Sequence, residues 1–241
     1  MATTPETTIA FVPVSLKSSI AFPEPRLLRK SRSKPRSMRA VQACPAVNVF
    51  EKRAIEILAP YSVQIRCVPI GDGKFDFHRI DSGTRIVSER LRELIHVHPP
   101  SEWRNANIPV IQIALPYFFV SDTPCYLTQM PAWASPDAAS LPGMLISGRF
   151  PAHLWPRSLN LAFEWQDTRL DFQMRRGQPI CYFYPETEHP ESPIRLVPGK
   201  LTNALATYRA RMDGVVDYTS QALELIDDIE KYRPETLVEE A

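Results

Sequence analysis

The sequence predicts an α+β fold that is mainly antiparallel β-structure, a sandwich or a cupin-like barrel with a C-terminal helical appendage. Three observations carry that expectation. Residues 108–185 hold a series of short apolar runs, rich in β-branched and aromatic residues and bounded by Pro, Gly, Asp or Ser. Residues 62–69 and 74–80 alternate with period two on either side of Gly71, Asp72 and Gly73, the pattern of a hairpin. Residues 200–232 carry apolar side chains at near-heptad spacing, which belongs to a helix.

The totals set the frame. A chain of 241 residues can bury one sizeable core without covalent staples. A hydrophobic fraction of 44% with 23% charged residues is that of a folded domain, and a formal net charge of +1 gives no global attraction to nucleic acid or to an anionic membrane. No run approaches the roughly 18 consecutive apolar residues of a spanning helix, so no membrane partner is expected. Cys44, Cys67, Cys125 and Cys181 are scattered without a Cys-x-x-Cys pair. That spacing excludes a zinc ribbon, and each reads as a small buried hydrophobe. The start of the chain lacks the charged-then-apolar order of a signal peptide, so a reducing, cytoplasmic location is the expectation.

In chain order, residues 1–40 read as a disordered basic arm. It is punctuated by Thr, Ser and Pro as far as Pro25, then carries seven basic and no acidic residues between Arg26 and Arg39. Such a run can neutralise phosphates, but no aromatic residue is interleaved to stack on bases. A solvated arm is therefore the preferred reading over a nucleic-acid binder, and a transit peptide shares the same composition.

Residues 41–198 read as the β-rich core domain, opened by an amphipathic helix in which Val47, Phe50, Ala54, Ile57 and Leu58 fall at helical spacings. Residues 82–95 fit either a helix or a strand pair, and Pro99 and Pro100 end it. Residues 132–156, with prolines at 136, 142, 151 and 156, read as a long connection of the kind that lines binding sites. Residues 199–233 read as a long helix, or a hairpin broken near Gly214, whose stripe offers a homodimer surface through 200–232. Residues 234–241 form an acidic tail.

The order of several segments resembles the bacterial DUF6065 family, a domain of unknown function, over roughly residues 41–197. They are the stretch from Ala40 to Cys44-Pro45, then Pro116-Tyr117 with Phe118 and Phe119 running into Thr123-Pro124, then Leu141-Pro142 with Gly148. Asn160 with Phe163 and Trp165 follows, and then Gly177 with Pro179, Cys181 and Pro185. The chain departs from the family pattern at Arg53-Ala54-Ile55 and at Gln129-Met130-Pro131. The resemblance implies a β-rich fold and no assigned chemistry.

Two sets of residues stand out as candidate sites. His96, His98 and Glu102, with His153 further on, reproduce the His-x-His and carboxylate order of a cupin metal motif, which would hold Fe(II) in a non-haem oxygenase. Pro99-Pro100 distorts the turn to Glu102, and a surface histidine pair is the plainer reading. Arg149, Trp155, Arg157, Trp165 and Tyr182, with Trp133, would line a pocket under the 132–156 connection, although as core anchors they need no ligand. The leading expectation is a β-sandwich binding or accessory protein, with no cofactor, that holds a small molecule, peptide or protein at that face. The oxygenase is the alternative.

Overall fold

The structure, a computed structural model, describes residues 5–14, 21–31, 37–80, 88–212 and 229–241. Its strands form four small sheets that pair into two layers. One layer joins a sheet of order β15 (Ile194–Pro198), β1 (Thr7–Pro13) and β8 (Tyr117–Val120) to a sheet of order β10 (Gly143–Leu145), β12 (Asn160–Trp165), β7 (Val110–Ala114) and β6 (Ile95–Val97). The second joins a sheet of order β11 (Arg149–Pro151), β9 (Cys125–Pro131), β14 (Pro179–Thr187), β3 (Ile55–Leu58) and β2 (Arg26–Leu27) to a sheet of order β13 (Phe172–Met174), β4 (Val63–Gly71) and β5 (Lys74–Arg79).

Proline explains the partition. Pro116 lies between β7 and β8, and Pro60 between β3 and β4. A residue without an N–H cannot donate to a ladder, and each of these extended runs changes sheets at its proline.

Among the described residues, all strand pairs are antiparallel except β1 with β15. The layers meet through aromatic side chains. Phe119 meets Phe183 at 5.6 Å, Phe163 meets Phe172 at 5.0 Å and Phe77 meets Trp165 at 6.0 Å. One continuous core spans the molecule from Ile9 to Ile194. This is a sandwich-like α+β fold, and no sheet closes into a barrel among the described residues.

Several elements differ from the sequence reading. Residues 7–13 are a central strand rather than part of a disordered arm. Ile9 and Phe11 face the interlayer core, while Ala10 and Val12 face a second cluster on the outer side. Further along the expected arm, Arg26 of β2 pairs with the buried Glu56 at 2.7 Å, and Arg29 of the short helix α1 (Leu28–Ser31) lies 3.6 Å from the buried Glu51. The basic residues 32–36 lie outside the described residues. The helix expected over 41–59 is a 3-10 turn (Val41–Ala43), helix α2 (Pro45–Arg53) and then β3. Pro45 opens α2, where its missing N–H costs nothing. Past Arg53, the β-branched Ile55 and Ile57 favour the strand.

Helix α3 (Ser88–Leu94) runs directly into β6, with residues 81–87 outside the described residues. The 132–156 connection is structured. It holds the short helix α4 (Pro136–Ala139), β10 and β11. A Cβ at Gly143 would lie 1.9 Å from the carbonyl oxygen of Glu164, so only glycine lets β10 approach β12 this closely.

Helix α5 (Asn203–Ala210) is capped by the Thr202 hydroxyl, which accepts the Leu205 N–H at 3.1 Å. Leu205, Tyr208 and Met212 cover the outer face of β1 and β8. The remainder of the expected helical stripe, 213–228, is outside the described residues. The acidic tail is docked rather than free. Leu237 is buried, Asp122 Oδ1 accepts the Leu237 and Val238 N–H groups, and Glu240 bridges to Gly199.

Candidate functional site

A concave site lies where the two layers part. β5 is the free edge of its sheet and β6 the free edge of another, and α3 leads into β6. Between them is a cavity of about 390 Å³. Period-two alternation turns Phe75 and Phe77 inward from β5, against Trp103 and Trp165 at 5.8 and 6.0 Å. On β6 the same alternation puts Ile95 and Val97 on the cavity side. Ile65, Phe77, Leu91 and Ile95 make an apolar floor, with half-exposed Val97 at the mouth.

The rim carries His78, Arg79 and Arg92. His78 Nε2 lies 3.1 Å from Asp76 Oδ2. Asp76 Oδ1 also accepts the Phe77 N–H at 2.9 Å, a donor that would otherwise face outward on the strand edge. Arg92 has no hydrogen-bond or ion-pair partner among the described residues. The sequence reading missed these three residues. The only available signal was an alternating edge strand ending in His78-Arg79, and nothing local says that α3 and β6 face it.

The cupin-like set is not assembled. Residues 100–102 form a 3-10 turn that brings the Glu102 carboxylate against His98 Nδ1. His98 is further fixed by its own N–H to Val110 O at 3.0 Å and by Trp103 Nε1 donating to its carbonyl at 2.8 Å. His96 is exposed on β6, on the strand face opposite Ile95 and Val97. His153 belongs to the other layer, where Nδ1 lies 3.2 Å from the Cys125 N–H nitrogen and 3.1 Å from the Cys125 oxygen, and the ring meets Tyr126 edge-on at 5.4 Å. Burial holds its pKa below the usual histidine value. No three His, Cys, Asp or Glu side chains converge as a metal-holding group among the described residues.

The residues expected to line the 132–156 pocket are also dispersed. Trp165 is a core side chain whose Nε1 donates to the carbonyls of Asp167 and Leu170. Tyr182 is buried on the outer side of β14, with the Trp133 ring edge-on to it at 5.9 Å. Arg149 stacks 3.7 Å over Tyr126 and pairs with Glu186 at 3.0 Å. Trp155 packs beside the α5 cluster with Arg157 5.5 Å over its ring. The space under the connection is about 110 Å³, and none of the five lines it. Half-exposed Trp133 and Met144 mark its lip.

Three thiols, Cys67, Cys125 and Cys181, are buried, whereas Cys44 is exposed and is not the buried hydrophobe expected of it. Burial pushes Cys67 up to about 11 and Cys125 up to about 12, and raises Cys181 as well.

No protein-family model matches the chain, and comparison with curated proteins and with solved structures returns no match.

Proposed function

We propose that the chain is a β-sandwich binding protein that holds a small, mostly apolar molecule in the cleft between β5 and β6. The observation that carries this reading is the cavity itself. At about 390 Å³ it falls within the roughly 300–1,000 Å³ of small-molecule sites, whereas the space under the 132–156 connection is too small for one. An apolar floor with a few polar groups at one end is the composition such sites share. The resemblance to DUF6065 supplies no activity, so the reading rests on geometry.

The blunted edge of β5 favours a small molecule over an added peptide strand. Asp76 already occupies the Phe77 N–H, and Lys74, Asp76 and His78 stud the exposed strand.

The test is ligand-observed NMR with octan-1-ol on wild type and on Val97→Trp, which plugs the mouth from an exposed position without touching the core. Wild type is expected to bind and the plugged variant to lose binding. Equal behaviour of the two proteins refutes the cleft as the site.

A further inference from the structure

Among the described residues, the polar side chains that line the cleft are His78, Arg79 and Arg92. Two guanidinium groups, Arg79 and Arg92, stand on facing walls, one at the end of β5 and one on α3. The nearest carboxylate on the β5 wall, Asp76, is engaged by His78 and by the Phe77 N–H. Arg92 has no partner among the described residues, yet it stands beside a floor of Ile65, Leu91 and Ile95. Arg92 is itself exposed, so a carboxylate on it gains from the two-pronged geometry and from a tail already seated on the apolar floor rather than from a desolvated charge. A planar guanidinium fork matches a carboxylate through two parallel N–H donors.

We infer that the cleft binds an apolar carboxylic acid, its aliphatic or aromatic tail on the floor and its carboxylate on Arg92. This rests on the cleft being the ligand site and adds the head group that the site selects. Arg79 stands across the opening, and the pairing with the carboxylate is assigned to Arg92 alone.

The experiment compares sodium octanoate with octan-1-ol, which share a chain length and differ in the head group. Binding to the full chain is measured by titration calorimetry for wild type, Arg92→Ala, Arg92→Lys and Val97→Trp. Wild type is expected to hold octanoate about tenfold more tightly than octanol, the order expected of a charge-assisted hydrogen bond. Arg92→Ala should bring octanoate down to the octanol level and leave octanol unchanged, Arg92→Lys should keep part of the preference, and Val97→Trp should abolish both.

Equal affinity of wild type for the two probes overturns the carboxylate assignment and leaves the cleft standing. A parallel loss of octanol binding in Arg92→Ala overturns it as well, because the arginine would then act by packing alone. Absence of binding to both probes, or binding unchanged by Val97→Trp, overturns the cleft and the acid together. Circular dichroism of each variant confirms that a loss of binding comes from a folded protein.

Discussion

Arg53 shows how much one side chain can organise. It is buried, yet no carboxylate pairs with it among the described residues. Its guanidinium instead donates to the carbonyls of Pro185, Pro190 and Ser192 and to the Thr187 hydroxyl. It thus ties the end of α2 to the stretch that follows β14. Removing it strands several buried acceptors at once. Arg53→Met is expected to cost about 3 kcal/mol, read as a lower urea midpoint with an unchanged slope.

Glu164 makes the opposite arrangement, a buried carboxylate gripped from outside by Arg104 through two hydrogen bonds of 2.7 and 2.6 Å. Those bonds hold its pKa below the usual glutamate value. A depressed carboxyl pKa contributes stability that is complete above the unfolded value and is lost as pH falls through the folded one. Urea midpoints are therefore expected to fall between pH 6 and about pH 3. Glu164→Gln should start lower at pH 6 and fall less steeply. At this scale little was legible. Neither Arg53 nor Arg104 carries any local mark of its distant partner, since the acceptors lie more than fifty residues away in sequence.

Among elements, legibility followed periodicity. β4, β5 and their Gly71–Gly73 turn read directly, because the alternation and three successive left-handed residues, at φ of 92, 52 and 68°, are both local signals. β1 was misread for a physical reason. A strand covered on both faces loses its alternation and becomes an unbroken apolar run, here Ile9 to Val12, which its proline-rich surroundings disguised as a tail. Deleting residues 1–14 tests this. It uncovers both the interlayer core and the surface beneath α5, and is expected to abolish the cooperative thermal transition followed by circular dichroism, whereas loss of a solvated arm would leave it unchanged. Gly143 sets a second element-level constraint. Gly143→Ala forces β10 away from β12 and is expected to cost about 2–3 kcal/mol in thermal or chemical unfolding.

For the whole molecule, the sandwich was legible from the count of short, proline-bounded strands, but the candidate site was not. His78 and Arg79 lie on the edge strand β5 and Arg92 on α3, elements that share no hydrogen-bonded ladder, and facing across a gap between sheets leaves no trace in local period. The cupin-like and loop-pocket sets lie apart in the structure for the complementary reason. Their residues are close in sequence pattern or composition, and the strand order distributes them between the layers.

The pairing of β1 with β15 carries a further consequence for how the protein comes into being. Thr7 lies beside Ile194, so although β8 can pair one edge of β1 earlier, the other edge closes only after the long stretch between these two residues has been made. Until then that edge has no strand partner among the described residues. Such distant closure predicts slow, late completion of this sheet, read as a refolding phase that lags behind formation of the β4–β5 hairpin.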